Sequence, residues 1–307
     1  MKNLNLHDTL KNKISKKSLL LLPRSFDVIG SIAIIDIPKE LKKKEKLIGE
    51  TLISLNKNIQ TVLQKAGRIK GRLRTRKLKW IAGLNTKETI HKESGCLFKL
   101  DVEKCYFSPR LSNDRIDIAK QVKPGEKVLV MFSGIAPYAI VIAKNTKAKE
   151  VYAIELNRIA NKYARENVKI NKLNNVQIIQ GDVKKIIPYL AKKKIKFDMS
   201  EINGKISEHA QKQRAVFDRI IMARPQLKDD FLESALKVAK KSTIIHFYDF
   251  LREDEMPLAA FAKIDRAIKS ASKQKNSKIH NYRLIRWKKA LEIGPRKWRI
   301  RVDFYVF

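Results

Sequence analysis

Residues 126–171, EKVLVMFSGIAPYAIVIAKNTKAKEVYAIELNRIANKYARENVKIN, constrain this chain more than any other stretch. Val128–Phe132 and Val151–Leu156 are apolar runs of strand length, with helices of about a dozen residues between and after them. Short strands alternating with helices of this length form right-handed βαβ units of a parallel sheet. Glu155 ends the second strand, about twenty positions beyond the turn Ser133-Gly134-Ile135-Ala136-Pro137. An acidic residue at that place holds a ribose, which admits NAD, FAD or S-adenosylmethionine. The turn is not GxGxxG. A pyrophosphate needs bare glycines with amide groups facing it, so a ligand without phosphate fits better. The bland alternative is an αβ turn with no ligand.

Charge limits the partners. Against 31 Asp+Glu stand 67 Lys+Arg, a formal net charge of +36. A lysine-rich solvated surface explains part of the excess but not its clustering. Lys57–Lys79 holds nine basic residues and no acidic one; Lys263–Arg299 holds thirteen basic and two acidic, interleaved with Tyr282, Trp287 and Trp298. Such density attracts a polyanion and makes its binding salt-dependent, which points to nucleic acid. The two cysteines, Cys96 and Cys105, are too few for a disulfide framework or a metal site. Leu19–Leu22 is far too short for a signal-peptide core, and nothing approaches a transmembrane span. The reading is a cytoplasmic protein with no membrane partner, no metal and no obligate protein partner.

The remaining elements arrange themselves around the βαβ unit. Residues 1–24 read as a short basic helix and linker. FDVIGSIAIIDIP alternates around Gly30 and stops at Pro38, which predicts a bent strand. Glu40–Asn58 predicts a helix, and Ile59–Leu63, Leu78–Gly83, Glu88–Glu93 and Cys96–Asp101 predict strands, so residues 25–106 form a small α+β domain. Residues 107–307 form the larger one, entered by a helix at Leu111–Val122. Beyond the βαβ unit, strands are expected at Val176–Gln180, Phe217–Met222, Thr243–Tyr248, Tyr282–Ala290 and Trp298–Val306. Helices are expected at Val183–Leu190, Asp229–Lys241 and Glu253–Ser270, and a polar excursion over Ala191–Ala215. This order predicts an α/β fold: a mostly parallel seven-strand sheet with an antiparallel end.

Several segments, taken in order, carry a more specific signal than the turn alone. GRLRTR, CYFSPRL, GEKVLVMFSGIAPYAI, VYAIELNRIA, ARENVKINKL, DRIIMARP, IIHFY and KWRIRVDF run from the first to the last third of the chain. Together they resemble the archaeal and eukaryotic tRNA (guanine-37 N1)-methyltransferase family, which shares its catalytic domain with the wybutosine-related aminocarboxypropyl transferases. The resemblance implies a class I methyltransferase, Rossmann-like fold with S-adenosyl-L-methionine at the carboxyl edge of the sheet. Its substrate would be tRNA, gripped at the anticodon stem-loop and backbone, with residues 25–106 contacting it. The alternatives are a wybutosine-pathway aminocarboxypropyl or methyl transferase acting on tRNA guanosine-37 and, from another class, a catalytically degenerate RNA-binding member.

The resemblance also assigns residues. Phe132, Ser133, Gly134, Ile135, Ala136 and Pro137 would wrap the methionine and ribose edge; Glu155, with Leu156, would take the ribose hydroxyls, and Asp182, with Val183, the adenine. Arg115 and Ala223 complete the implied cofactor contacts. Glu155 could instead pair at the surface, and Asp182 could simply cap a helix. N1 of guanine is protonated at neutral pH, so methyl transfer needs a base, a donor for charge moving onto O6, and alignment. The family's Glu-Arg pair is Asp114-Arg115 here, one methylene shorter, and makes Asp114 the expected base. Arg74, with Arg76 second, is the expected guanine contact. Tyr106 and Phe107 would frame a flipped guanine, and Trp287 and Trp298 would stack on bases or simply fill strands. His246 reads as a satisfied core histidine. Three departures stand out: Val130 replaces an acidic residue, Ala136 a glycine, and Ala223-Arg224-Pro225 an Asn-Leu-Pro whose asparagine holds the target base. Arg224 is the expected substitute.

Overall fold

The computed structural model describes residues 5–67, 71–192, 215–223, 229–274 and 278–307. Among them the chain forms two compact units, residues 1–93 with 97–109 and residues 94–96 with 110–307.

The smaller unit begins with two short helices, α1 (Leu6–Leu10) and α2 (Lys16–Leu20). Leu6, Leu10, Ile14 and Leu22 are buried in its core beside Ile35, Leu41, Ile48, Leu52, Val62 and Ile81. The four-residue apolar spacing of Leu6, Leu10 and Ile14 thus packs these helices into the core. The expected bent strand is a hairpin, β1 (Asp27–Ile29) and β2 (Ile32–Ile35), turning at Gly30. Gly30 has φ +57°, and a Cβ there would meet Thr89 Oγ1 at 2.2 Å, so only glycine fits. A 3₁₀ turn, Lys39–Lys44, precedes α3 (Glu45–Leu55). The strands β3 (Thr61–Lys65) and β4 (Leu78–Gly83) complete a sheet of order β1-β2-β3-β4, while β5 (Glu88–Glu93) and β6 (Cys96–Asp101) form a separate ribbon.

The larger unit opens with α4 (Ser112–Ala119), after a 3₁₀ turn at Pro109–Leu111. It continues through β7 (Lys127–Met131), α5 (Pro137–Asn145), β8 (Glu150–Glu155), α6 (Arg158–Ile170), β9 (Val176–Gln180) and α7 (Val183–Lys192). Then follow β10 (Phe217–Met222), α8 (Leu232–Leu236), β11 (Ala239–Arg252), α9 (Leu258–Ser272), β12 (Tyr282–Gly294) and β13 (Lys297–Val306). The sheet order is β12-β13-β11-β10-β7-β8-β9; β9, β8, β7, β10 and β11 are parallel, and β13 and β12 close the edge antiparallel. This is the class I methyltransferase, Rossmann-like arrangement.

One difference from expectation, and one feature of β13, have physical causes. The helix anticipated at Asp229–Lys241 is only α8, because Ala239 already pairs with Phe217 and begins β11. Thr243 Oγ1 donates to the Phe217 carbonyl at 2.6 Å and holds this irregular start in register. The charged alternation of β13 would ordinarily mean one solvated face. Here Ile300, Val302, Phe304 and Val306 enter the apolar core, and Arg299, Arg301 and Asp303 on the other face are at most 2 % exposed. Most of the excursion, 193–214, and Arg224-Pro225 lie outside the described residues.

Candidate active site

Val130 is fully buried in β7, between Ala153 of β8 and Ile221 of β10, so it serves as a core residue. Beyond it the chain turns sharply: Phe132, Gly134 and Ala136 all take left-handed backbone, at φ 60°, 58° and 66°. Only the glycine does so freely; each of the others costs on the order of 1 kcal/mol. The Ser133 amide donates to the Ile154 carbonyl at 2.9 Å, and the Ala136 amide to the Ser133 carbonyl at 3.0 Å. Ile135 is fully buried, and Pro137 opens α5, where a missing N–H costs nothing.

This turn reaches Glu155. The Gly134 amide donates to Glu155 Oε2 and the Asn157 amide to Oε1, both at 2.8 Å. Each carboxylate oxygen keeps a lone pair for a ligand hydroxyl. Glu155 is thus an oriented acceptor at the strand end rather than a surface ion pair. Ser133 Oγ is buried and has no partner among the described residues. An oriented carboxylate beside a buried, unsatisfied hydroxyl suits a ligand with a ribose diol and polar substituents, and these residues fit S-adenosyl-L-methionine. Leu156 is half-buried, and Asn157 caps α6 through Ile159 and Ala160. Asp182 accepts from the Lys184 amide at 2.9 Å, a helix-start bond, and Val183 is buried.

The same turn leads into a buried polar cluster. Tyr138, one residue into α5, donates to Asp114 Oδ2 at 2.7 Å, and Tyr248 of β11 donates to the same oxygen. Arg301 Nη1 donates to Asp114 Oδ1 at 2.7 Å. Burial, and next the Asp114 carboxylate, push both phenols well above their ordinary value, so both stay protonated. Arg115 is 2 % exposed, with its guanidinium 5.9 Å over the Tyr138 ring. Arg301 also binds Asp117 and Asp303 at 2.5 Å and 3.0 Å. From Asp303 the chain of bonds runs through His246 Nδ1 at 2.6 Å and His246 Nε2 to Arg219 at 2.9 Å, then to Glu126 at 2.7 Å. Both nitrogens of His246 are engaged, as a core histidine requires; desolvation holds it below its ordinary pKa. Asp303 lies below its own: burial opposes this, but the bonds and charges of His246 and Arg301, with Arg286, outweigh it.

Ala223 follows β10 at the carboxyl edge. Its amide donates to the Met131 carbonyl at 3.3 Å, and its carbonyl accepts from Arg299 Nη2 at 2.6 Å. The Arg299 guanidinium lies 4.4 Å over the Tyr248 ring. Arg74 belongs to the smaller unit, at φ 55°, with its guanidinium 4.5 Å over the Tyr106 ring. Phe107 in that unit packs edge-on against His91, at 5.1 Å between ring centres. Tyr138, Tyr248, Arg299 and Arg301 were not singled out by sequence. The one available signal was RIRVD, whose charges β13 turns into the protein.

Known proteins give this site its context. The family model described as the TRM5/TYW2 methyltransferase domain matches residues 89–200 and 190–279, and the TYW2 N-terminal domain matches residues 6–86. The tRNA (guanine(37)-N(1))-methyltransferase Trm5b of Pyrococcus abyssi is 39% identical over 285 residues, covering 93% of this chain and 76% of the relative. The tRNA (guanine(37)-N(1))/4-demethylwyosine(37)-methyltransferase Taw22 of Nanoarchaeum equitans is 34% identical over 310 residues, 92% of this chain and 99% of the relative. The solved complex of aTrm5 and tRNALeu is similar at TM-score 0.75 and 28% identity, covering 100% of this chain and 79% of that one. Pyrococcus horikoshii TYW2 in complex with MeSAdo has a TM-score of 0.74, at 26% identity over 98% of each chain. The chain belongs to the TRM5/TYW2 methyltransferase family.

Proposed function

We propose that this protein methylates N1 of guanosine-37 in tRNA, using S-adenosyl-L-methionine. One observation carries the reading: a single turn, 132–138, both orients the Glu155 carboxylate through Gly134 and binds the buried acid Asp114 through Tyr138. Cofactor-type and base-type carboxylates are thereby fixed to one element. Similarity to Trm5b and to the aTrm5–tRNALeu complex supports the substrate.

When bound, S-adenosyl-L-methionine supplies an electrophilic methyl carbon on a sulfonium. Glu155 holds the ribose diol, Ser133 and its neighbours the methionine end, and Asp182 the adenine side. Asp114 accepts the guanine N1 proton, and the structure distinguishes its two oxygens. Oδ1 faces Arg301, which can only donate. Oδ2 faces two phenols, and a hydroxyl can rotate from donor to acceptor. Proton uptake therefore falls on Oδ2, with Tyr138 or Tyr248 reversing its role. Arg74, steadied on Tyr106, contacts the guanine. Residues 25–106 contact the tRNA and 107–307 carry the chemistry. The +36 charge holds the anticodon stem-loop and backbone. No described helix is long and apolar enough to cross a membrane, and we place the reaction in the cytoplasm, where tRNA and buried thiols such as Cys96 and Cys105 reside.

The near full-length similarity to Taw22 favours a second activity on the same site, methylation of 4-demethylwyosine at position 37. Both are tested by incubating purified tRNA with methyl-labelled cofactor and mapping the product by nuclease digestion and mass. Label on N1 of guanosine-37 is expected. Label at another nucleotide, or an aminocarboxypropyl mass increment, overturns the proposal.

A further inference from the structure

We infer that the outer face of α6 is a track for the tRNA backbone, leading away from the carboxyl edge of the sheet. The inference rests on the proposed action on tRNA and adds a contact surface within the larger unit. Arg158, Lys162, Arg165 and Lys169 recur at intervals of four, three and four residues along α6. At 3.6 residues per turn they fall within about 60° of one another, on a line about 17 Å long. The opposite face puts Ala160, Ala164, Asn167 and Val168 in the interior.

Three features make this row unfavourable in the free protein. Side chains three and four residues apart are neighbours on a helix, and like charges there weaken it. α6 has no acid in its first turn, and Arg158 stands at the positive end of the helix dipole. Among the described residues none of the four cations has a carboxylate partner. Other surface lysines do: Lys46 pairs with Glu50, Lys127 with Glu150 and Lys240 with Asp218. Solubility is served equally well by interspersed charges of both signs, whereas a row of one sign suits a polyanion. Its position suits the substrate. The cap Asn157 lies two residues beyond Glu155, and α6 then packs along β8 and β9. An RNA strand that presents its guanosine at this edge can continue along α6, its phosphates meeting the cations in turn. Contacts of this kind add affinity and orientation but read no bases.

The test is a variant carrying Lys162→Gln, Arg165→Gln and Lys169→Gln together; glutamine keeps helix propensity, so α6 should persist. Binding of a tRNA transcript is measured by filter retention between 50 and 300 mM salt. Three lost phosphate contacts should weaken binding by about 10–100-fold near 0.15 M and flatten the log–log salt slope by about 2–3. The loss should appear in KM for tRNA, with kcat and S-adenosylhomocysteine affinity within about twofold of wild type. The urea midpoint should equal or exceed that of wild type, because repulsion is relieved. A second measurement uses Lys162→Cys bearing a photo-crosslinker, selective because Cys96 and Cys105 are buried; cross-linking to tRNA is expected. An unchanged salt slope overturns the inference, as does absence of a cross-link or a fall in S-adenosylhomocysteine affinity parallel to that for tRNA. These are binding measurements. Wild-type protein that binds tRNA with the expected slope but leaves guanosine-37 unmethylated defeats the proposed function and leaves the track standing, so the two failures are distinct.

Discussion

Replacing Arg301 by methionine tests whether the buried charges hold the larger unit together as a set. Arg301 is fully buried and serves three carboxylates. Without it Asp303 keeps His246 and Arg286, and Asp117 keeps Arg286 and Lys288. Asp114, 4 % exposed, keeps two phenols, and its nearest remaining cation is Lys288 at 3.7 Å. Stranding a buried charge costs about 3–5 kcal/mol, and Asp114 should account for most of it. Neutralising the stranded acid should recover part of the loss. Asp114→Asn in the Arg301→Met background should be more stable than Arg301→Met alone, with a coupling of about 2 kcal/mol. Urea unfolding at pH 7, followed by tryptophan fluorescence in a Trp80→Phe background, reads the larger unit through Trp287 and Trp298. A cost below about 1 kcal/mol for Arg301→Met, or additivity within about 0.5 kcal/mol, would refute the reasoning.

Three further outcomes are expected. His246 and Asp303 are both depressed in the fold, so the unfolded chain binds their protons first; their stabilisation is complete above about pH 6.5 for His246 and about 3.9 for Asp303, and is lost as pH falls. The urea midpoint should therefore drop between pH 7.5 and 5, and a constant midpoint would contradict this. Glu155→Ala removes two amide-oriented acceptors for a ribose and should weaken S-adenosylhomocysteine binding by about 100-fold in calorimetry, from one to two lost charge-assisted bonds; unchanged affinity would remove Glu155 from the site. Asn157→Ala loses the cap of α6 and should cost about 1 kcal/mol, measured by chemical denaturation.

The parallel sheet was legible because its central strands are largely buried on both faces and read as apolar runs: Phe217–Met222 matches residue for residue, and so does the half-buried edge strand Val176–Gln180. Glu155 was legible because it ends such a run. The surroundings of Asp114 were not legible. Arg301 is 187 residues away and reaches Asp114 only through strand pairing at the sheet's end. Alternating Arg, Ile, Arg, Val and Asp looks like a strand with a wet face; only the burial of that face under Asp114 and Asp117 makes it a polar core. The start of β11 was hidden for a related reason. Lys240 and Lys241 extend a helical pattern locally, whereas the pairing of Ala239 with Phe217 is set by tertiary structure.

The left-handed turn after β7 has a bearing on how the protein is assembled. Two of its residues, Phe132 and Ala136, would avoid that backbone in an isolated peptide. Beyond the one bond inside the turn, from Ala136 to Ser133, the bonds that hold it come from Ile154 and Glu155, on the next strand. The turn therefore has no persistent shape until β8 has docked beside β7. On an emerging nascent chain it would stay unformed until residues 150–155 had cleared the ribosome. In the finished protein, any opening that separates these two strands would release the turn at once. Protection of the Gly134 amide from hydrogen exchange should accordingly match that of the β7–β8 ladder rather than that of a surface loop.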